Sequence, residues 1–103
     1  MMMTIRQGDA YAIEITLETD EGTLITPEIV HKVEVMLGAF QKIYPGSLIY
    51  DGGVWVYPMS QAETQALAGP TRLEVRVKFA DDTVAGEPIG TVLVLPMKSK
   101  EVL

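Results

Sequence analysis

The longest unbroken alternation of apolar and polar residues in this chain is Thr71-Arg72-Leu73-Glu74-Val75-Arg76-Val77-Lys78-Phe79, and it constrains the fold more than any other stretch. Successive side chains of a strand point to opposite faces, so Leu73, Val75, Val77 and Phe79 share one side and Arg72, Glu74, Arg76 and Lys78 the other. The pattern predicts a β-strand with one face on a core and one in water. It carries no chemistry of its own.

Other stretches repeat the signal. Tyr11 to Glu18 places Tyr11, Ile13, Ile15 and Leu17 on one face, and Met3 with Ile5 suggests a short strand before it, with Gln7-Gly8-Asp9 as the bend between. Thr19-Asp20-Glu21-Gly22 reads as a turn, Thr23-Leu24-Ile25 as a short returning strand, and Thr26-Pro27-Glu28 as a break or a single helical turn. Val30 to Leu37 should face Val33, Val35 and Leu37 inward, and Phe40 to Tyr44 should follow as a strand until Pro45-Gly46 interrupts it. Leu48-Ile49-Tyr50 and Val54-Trp55-Val56-Tyr57 flank Asp51-Gly52-Gly53, a Gly-rich link of the kind that closes a hairpin.

Ser60-Gln61-Ala62-Glu63 has the spacing of a capping box and predicts a short helix to about Leu67, with Gly69-Pro70 as its stop. Ala80-Asp81-Asp82-Thr83 is a tight turn, Val84-Ala85 pairs back, Gly86-Glu87-Pro88 breaks the run, and Thr91 to Leu95 closes the domain as a strand apolar on both faces. The tail from Met97 to Leu103 reads as loose or docked on a neighbour. About seven short strands with regular turn signals predict an all-β, antiparallel immunoglobulin-like β-sandwich with one short helix near residues 60–67.

Length and composition narrow the function. A chain of 103 residues is expected to form one domain around one core. Cysteine is absent, so a disulfide framework, a thiolate metal site and a Cys nucleophile are excluded together. The chain has no Asn and hence no N-glycosylation acceptor. With 8 basic against 14 acidic residues the net charge is −6, which argues against a nucleic-acid partner and against an anionic membrane. No stretch approaches the roughly 20 apolar residues of a membrane helix, and the start lacks the pattern of a secretory leader.

Candidate chemistry is sparse. His31 is the single histidine, and neither Ser47, Ser60 nor Ser99 stands in a nucleophile elbow to complete a triad with it. The carboxylates cluster in two turns, Glu18 to Glu21 and Asp81-Asp82, where solvation accounts for them, and no calcium-loop, Walker or dinucleotide motif occurs. No catalytic residue, metal or cofactor is expected. The contact candidates are Trp55 and Tyr57 with Tyr50 across the hairpin, as an aromatic platform for a sugar, peptide or protein, and Leu93 and Leu95 on the last strand. For the Trp, burial in the core is the competing expectation.

In sequence order these features resemble the immunoglobulin-like domain of tailed-phage and prophage tail proteins, in particular the N-terminal domain of upper baseplate proteins. The likeness rests on Arg6-Gln7-Gly8-Asp9 before Ile13-Glu14-Ile15, on Ile25-Thr26-Pro27 before Val33-Glu34-Val35, and on Val56-Tyr57-Pro58-Met59-Ser60 followed by Glu63, Leu67 and Gly69-Pro70. Leu73-Glu74-Val75-Arg76-Val77, Asp81-Asp82-Thr83-Val84 and Gly90-Thr91-Val92 complete it, although Leu73 stands where the family usually has an aromatic residue. The resemblance implies a non-enzymatic virion protein that works through contacts with other tail proteins and with copies of itself. Its locations would be the bacterial cytoplasm and then the virion.

Overall fold

The computed structural model describes residues 2–6, 10–19 and 21–95. In chain order the elements are β1 (Met2–Arg6), β2 (Tyr11–Ile15), β3 (Val30–Leu37), β4 (Phe40–Tyr44), β5 (Ile49–Asp51), β6 (Val54–Met59), α1 (Gln61–Gln65), β7 (Gly69–Phe79) and β8 (Val84–Leu95). A five-stranded sheet, β1-β8-β7-β3-β4, packs on a three-stranded sheet, β2-β6-β5. The two sheets form a β-sandwich, with the β3-β4 hairpin at one edge of the larger sheet. The bend at residues 7–9 and the tail at 97–103 expected from sequence lie outside the described residues.

Alternation decides what each sheet buries. Val33, Val35 and Leu37 of β3 face Leu73, Val75 and Val77 of β7 in register, and all six are buried. Ile13 and Ile15 pair with Tyr57 and Trp55 across β2-β6 and supply the opposing layer. Each such side chain contributes roughly 1.5–3 kcal/mol by leaving water, which makes this cluster the main stabilising term of the fold.

Several sequence expectations need correction. The pairing is not antiparallel throughout, because β1 runs parallel to β8, matching Met2 to Thr91 and Arg6 to Leu95. Gly86-Glu87-Pro88 does not break the last strand. The register shifts between Leu73 and Glu74, whose partners are Gly90 and Pro88, and a bulge is a place where a residue without an N–H is tolerated. Thr23 to Ile25 forms a single bridge, Glu18 to Leu24, and not a strand. The helix ends at Gln65, and Gly69-Pro70 opens β7 instead of stopping the helix.

The turns follow their residues. Gly52 and Gly53 both have positive φ, 55° and 96°, between the paired Asp51 and Val54, which is the conformation a two-residue hairpin demands. The Ala80 to Thr83 turn is closed by Phe79 N–H donating to the Thr83 carbonyl at 2.8 Å. With 11 and 12 residues, β7 and β8 are the longest strands among the described residues.

Candidate interaction surfaces

Trp55 and Tyr57 point inward because they alternate with Val54 and Val56 on β6, and both are fully buried. The Trp55 Nε1–H donates to the Ile25 carbonyl at 2.9 Å. Tyr44 of β4 meets the indole edge-on at 5.1 Å and Tyr50 of β5 does so at 4.9 Å. The expected platform is therefore a core cluster: Trp55 and Tyr57 present no ring face to a ligand, and Tyr50 is half-buried against Trp55. The backbones of Leu93 and Leu95 pair with Pro70 and Arg6, while their side chains lie outside the described residues.

A polar cluster closes one side of the core. The Ser60 hydroxyl accepts from Glu63 N–H at 3.2 Å, and the Glu63 carboxylate accepts from Ser60 N–H at 2.9 Å, completing the capping box. That carboxylate also holds Lys42 Nζ at 3.1 Å, tying α1 to β4. Burial pushes the Glu63 carboxyl up, but the bonds from Ser60 and Lys42 and the Lys42 charge outweigh it and hold it below the usual value. The Lys42 ammonium lies 5.8 Å from the Tyr57 ring centroid. The Tyr57 hydroxyl is buried without a hydrogen-bond partner among the described residues, and burial, with the Glu63 charge adding to it, pushes it up to about 12. The capping box is visible in the sequence; the Lys42 contact, made across 21 residues, is not.

The outer faces of the two sheets differ. On the larger sheet Lys32, Arg72, Arg76 and Lys78 point outward with Glu34 and Glu74, and ion pairs join Lys32 to Glu34 at 3.0 Å and Arg72 to Glu74 at 3.2 Å. On the smaller sheet Ile49, Val56 and Glu14 form one outward row, with Asp51 beside Val54 and Ala12 beside Pro58. Ile49 is 49% exposed, and no Lys or Arg occurs in β2, β5 or β6.

At one end the sheets part. A groove of about 720 Å³ runs between the arm from Thr16 to Ile25 and the β7-β8 hairpin. The arm is held by Ile25 N–H donating to the Leu17 carbonyl at 2.9 Å and by Thr19 N–H donating to the Thr23 carbonyl at 2.8 Å. Glu18, Glu21 and Asp81 stand among the lining residues, and among the described residues no Lys or Arg does. The Thr83 hydroxyl and then its N–H bond to Asp81, at 2.6 and 3.0 Å, and hold its carboxyl below the usual range. In the sequence these carboxylates read as solvated turns, since nothing local reveals the apolar floor between them.

The residues weighed for catalysis are engaged separately. His31 Nε2 lies 3.1 Å from the Ala80 carbonyl and 3.9 Å from Asp82, on the surface. Ser47 accepts from Ile43 N–H at 3.0 Å and Ser60 caps the helix. Among the described residues no three His, Asp or Glu side chains gather into a metal site. No protein-family model matches this sequence, and no curated protein matches it.

Proposed function

We propose that this chain is a non-enzymatic structural subunit of a phage or prophage particle, of tail or baseplate type, acting through protein-protein contacts and assembling with copies of itself. The observation that carries this reading is the mismatch of the two outer faces: on one, Lys32, Arg72, Arg76 and Lys78 outnumber Glu34 and Glu74, and on the other an apolar stripe of Ile49, Val54, Val56 and Pro58 stands with Glu14 and Asp51 and, among the described residues, no cation. Opposite faces of unlike charge favour head-to-tail contacts, which close into rings or extend as filaments. The resemblance of its sequence features to those of tail proteins is what suggests the particle context. The rival reading, a small carbohydrate- or peptide-binding module built on Trp55 and Tyr57, loses its platform to the burial of both rings. Sequencing the DNA on both sides of the gene tests the proposal. Tape-measure, portal or lysis reading frames beside it are expected; neighbours for sugar uptake or surface attachment would count against a particle role.

A further inference from the structure

The end groove brings three features together in one concave site. Its floor is apolar, formed by Leu17, Ile25, Ile29, Val75, Val77 and Phe79. Its rim is anionic, with Glu18 and Glu21 on the arm and Asp81 on the hairpin. The third feature is a free strand edge. β1 covers β8 only from Thr91 to Leu95, so the stretch from Val84 to Gly90 has, among the described residues, no partner on the side away from β7, and Ala85 and Gly86 of this stretch line the groove. An unpaired edge presents a row of backbone donors and acceptors to an incoming strand.

We propose that the groove binds an extended segment of a partner protein, which adds as a strand to the open edge of β8, sets alternate apolar side chains on the floor and places lysine or arginine against the rim carboxylates. Strand addition draws affinity from main-chain hydrogen bonds and specificity from the pockets that take alternate side chains. The volume of about 720 Å³ falls within the roughly 300–1,000 Å³ of ligand-holding clefts. A cationic segment is favoured over an acidic one because, among the described residues, the groove is lined by Glu18, Glu21 and Asp81 and by no Lys or Arg. This inference rests on the reading of the chain as a protein-contact subunit, and names one kind of contact for it.

Trp55 supplies an internal reporter, because its indole is bonded to the carbonyl of Ile25, a groove residue. The probe is an acetylated, amidated hexapeptide of alternating valine and lysine, titrated into the full chain beside a twin carrying glutamate for lysine. The expected result is a saturable change in Trp55 emission with the lysine peptide, and slowed amide exchange from Val84 to Gly90. Glu21→Lys, an exposed substitution, should weaken binding by about fivefold and leave the fold intact. Equal binding of the glutamate twin, no saturation at millimolar peptide, or binding without protection of the Val84 to Gly90 amides would each overturn the proposal. So would self-association abolished by Glu21→Lys without peptide, which would make a second copy the occupant. Sedimentation of the same preparations with an Ile49→Lys variant reads assembly through the outer faces separately, so that failure of the groove and failure of the structural reading give different results.

Discussion

The indole nitrogen of Trp55 is hydrogen-bonded to the carbonyl oxygen of Ile25, 30 residues earlier, at 2.9 Å inside the core. The bond fixes the arm between β2 and β3, which among the described residues has one isolated bridge of its own, Glu18 to Leu24, to the smaller sheet. Trp55 should therefore emit at short wavelength, resist quenching by iodide and ignore added sugars. Trp55→Phe leaves the Ile25 carbonyl buried without its donor, a loss of about 1–3 kcal/mol before the smaller ring is counted. Urea unfolding followed by circular dichroism checks this, and a variant as stable as the parent would refute the role assigned to the bond.

Tyr57 makes an opposite prediction. Its hydroxyl is buried and unpaired among the described residues, so Tyr57→Phe removes an unsatisfied group while keeping the ring, and should raise stability at pH 7 by about 1 kcal/mol. The pH dependence has a definite sign. The folded pKa of about 12 lies above the ordinary 10.0, so the parent's stability holds below pH 10 and falls as pH rises toward 12, while the variant lacks this term. Urea midpoints at pH 7 and pH 11 that shift equally in both proteins would contradict this account.

For Glu63 the sign reverses. Its folded carboxyl lies below the ordinary 4.5, so its contribution is complete above that value and is lost as pH falls through the folded pKa. Glu63→Gln should be less stable than the parent at pH 7, by about 1 kcal/mol, and the gap should close in acid. Ser60→Ala should cost a similar amount, about 0.5–2 kcal/mol, through the lost cap. A Glu63→Gln deficit that persists unchanged at pH 2 would exclude the charge as its source.

Gly38 opens the β3-β4 turn with a φ of 58°, and a Cβ there would lie 2.9 Å from the Thr71 methyl. Thr71 is buried and β-branched, so it has little freedom to move aside. Gly38→Ala should cost about 1–3 kcal/mol from the left-handed backbone and the clash together. Thermal melts of Gly38→Ala and of Gly38→Ala with Thr71→Ser test the clash, since the second change should recover part of the loss.

Assembly can be measured directly. Sedimentation velocity at micromolar concentration should show an oligomer, and Ile49→Lys should weaken it by about tenfold with no loss of monomer stability, because Ile49 is half exposed on an outer face. A parent that sediments as a monomer would weigh heavily against the proposed head-to-tail contact.

What the chain alone determined was local. Alternation over β3 and β7 set which side chains face the core, Gly52-Gly53 set the hairpin, and Ser60 with Glu63 set the start of the helix, because each depends on residues a few positions apart. Tertiary structure decided the rest. Alternation put Trp55 on one face of β6, but only packing by Tyr44 and Tyr50 and the bond to Ile25 made that face the buried one. The continuity of β8 through Pro88 depended on a bulge opposite Glu74, and the groove on two turns distant in sequence coming to the same end of the sandwich. Hydrophobic period reports a residue's side of its own strand; which strands meet, and what gap they leave, is set by contacts between segments that carry no mark of one another.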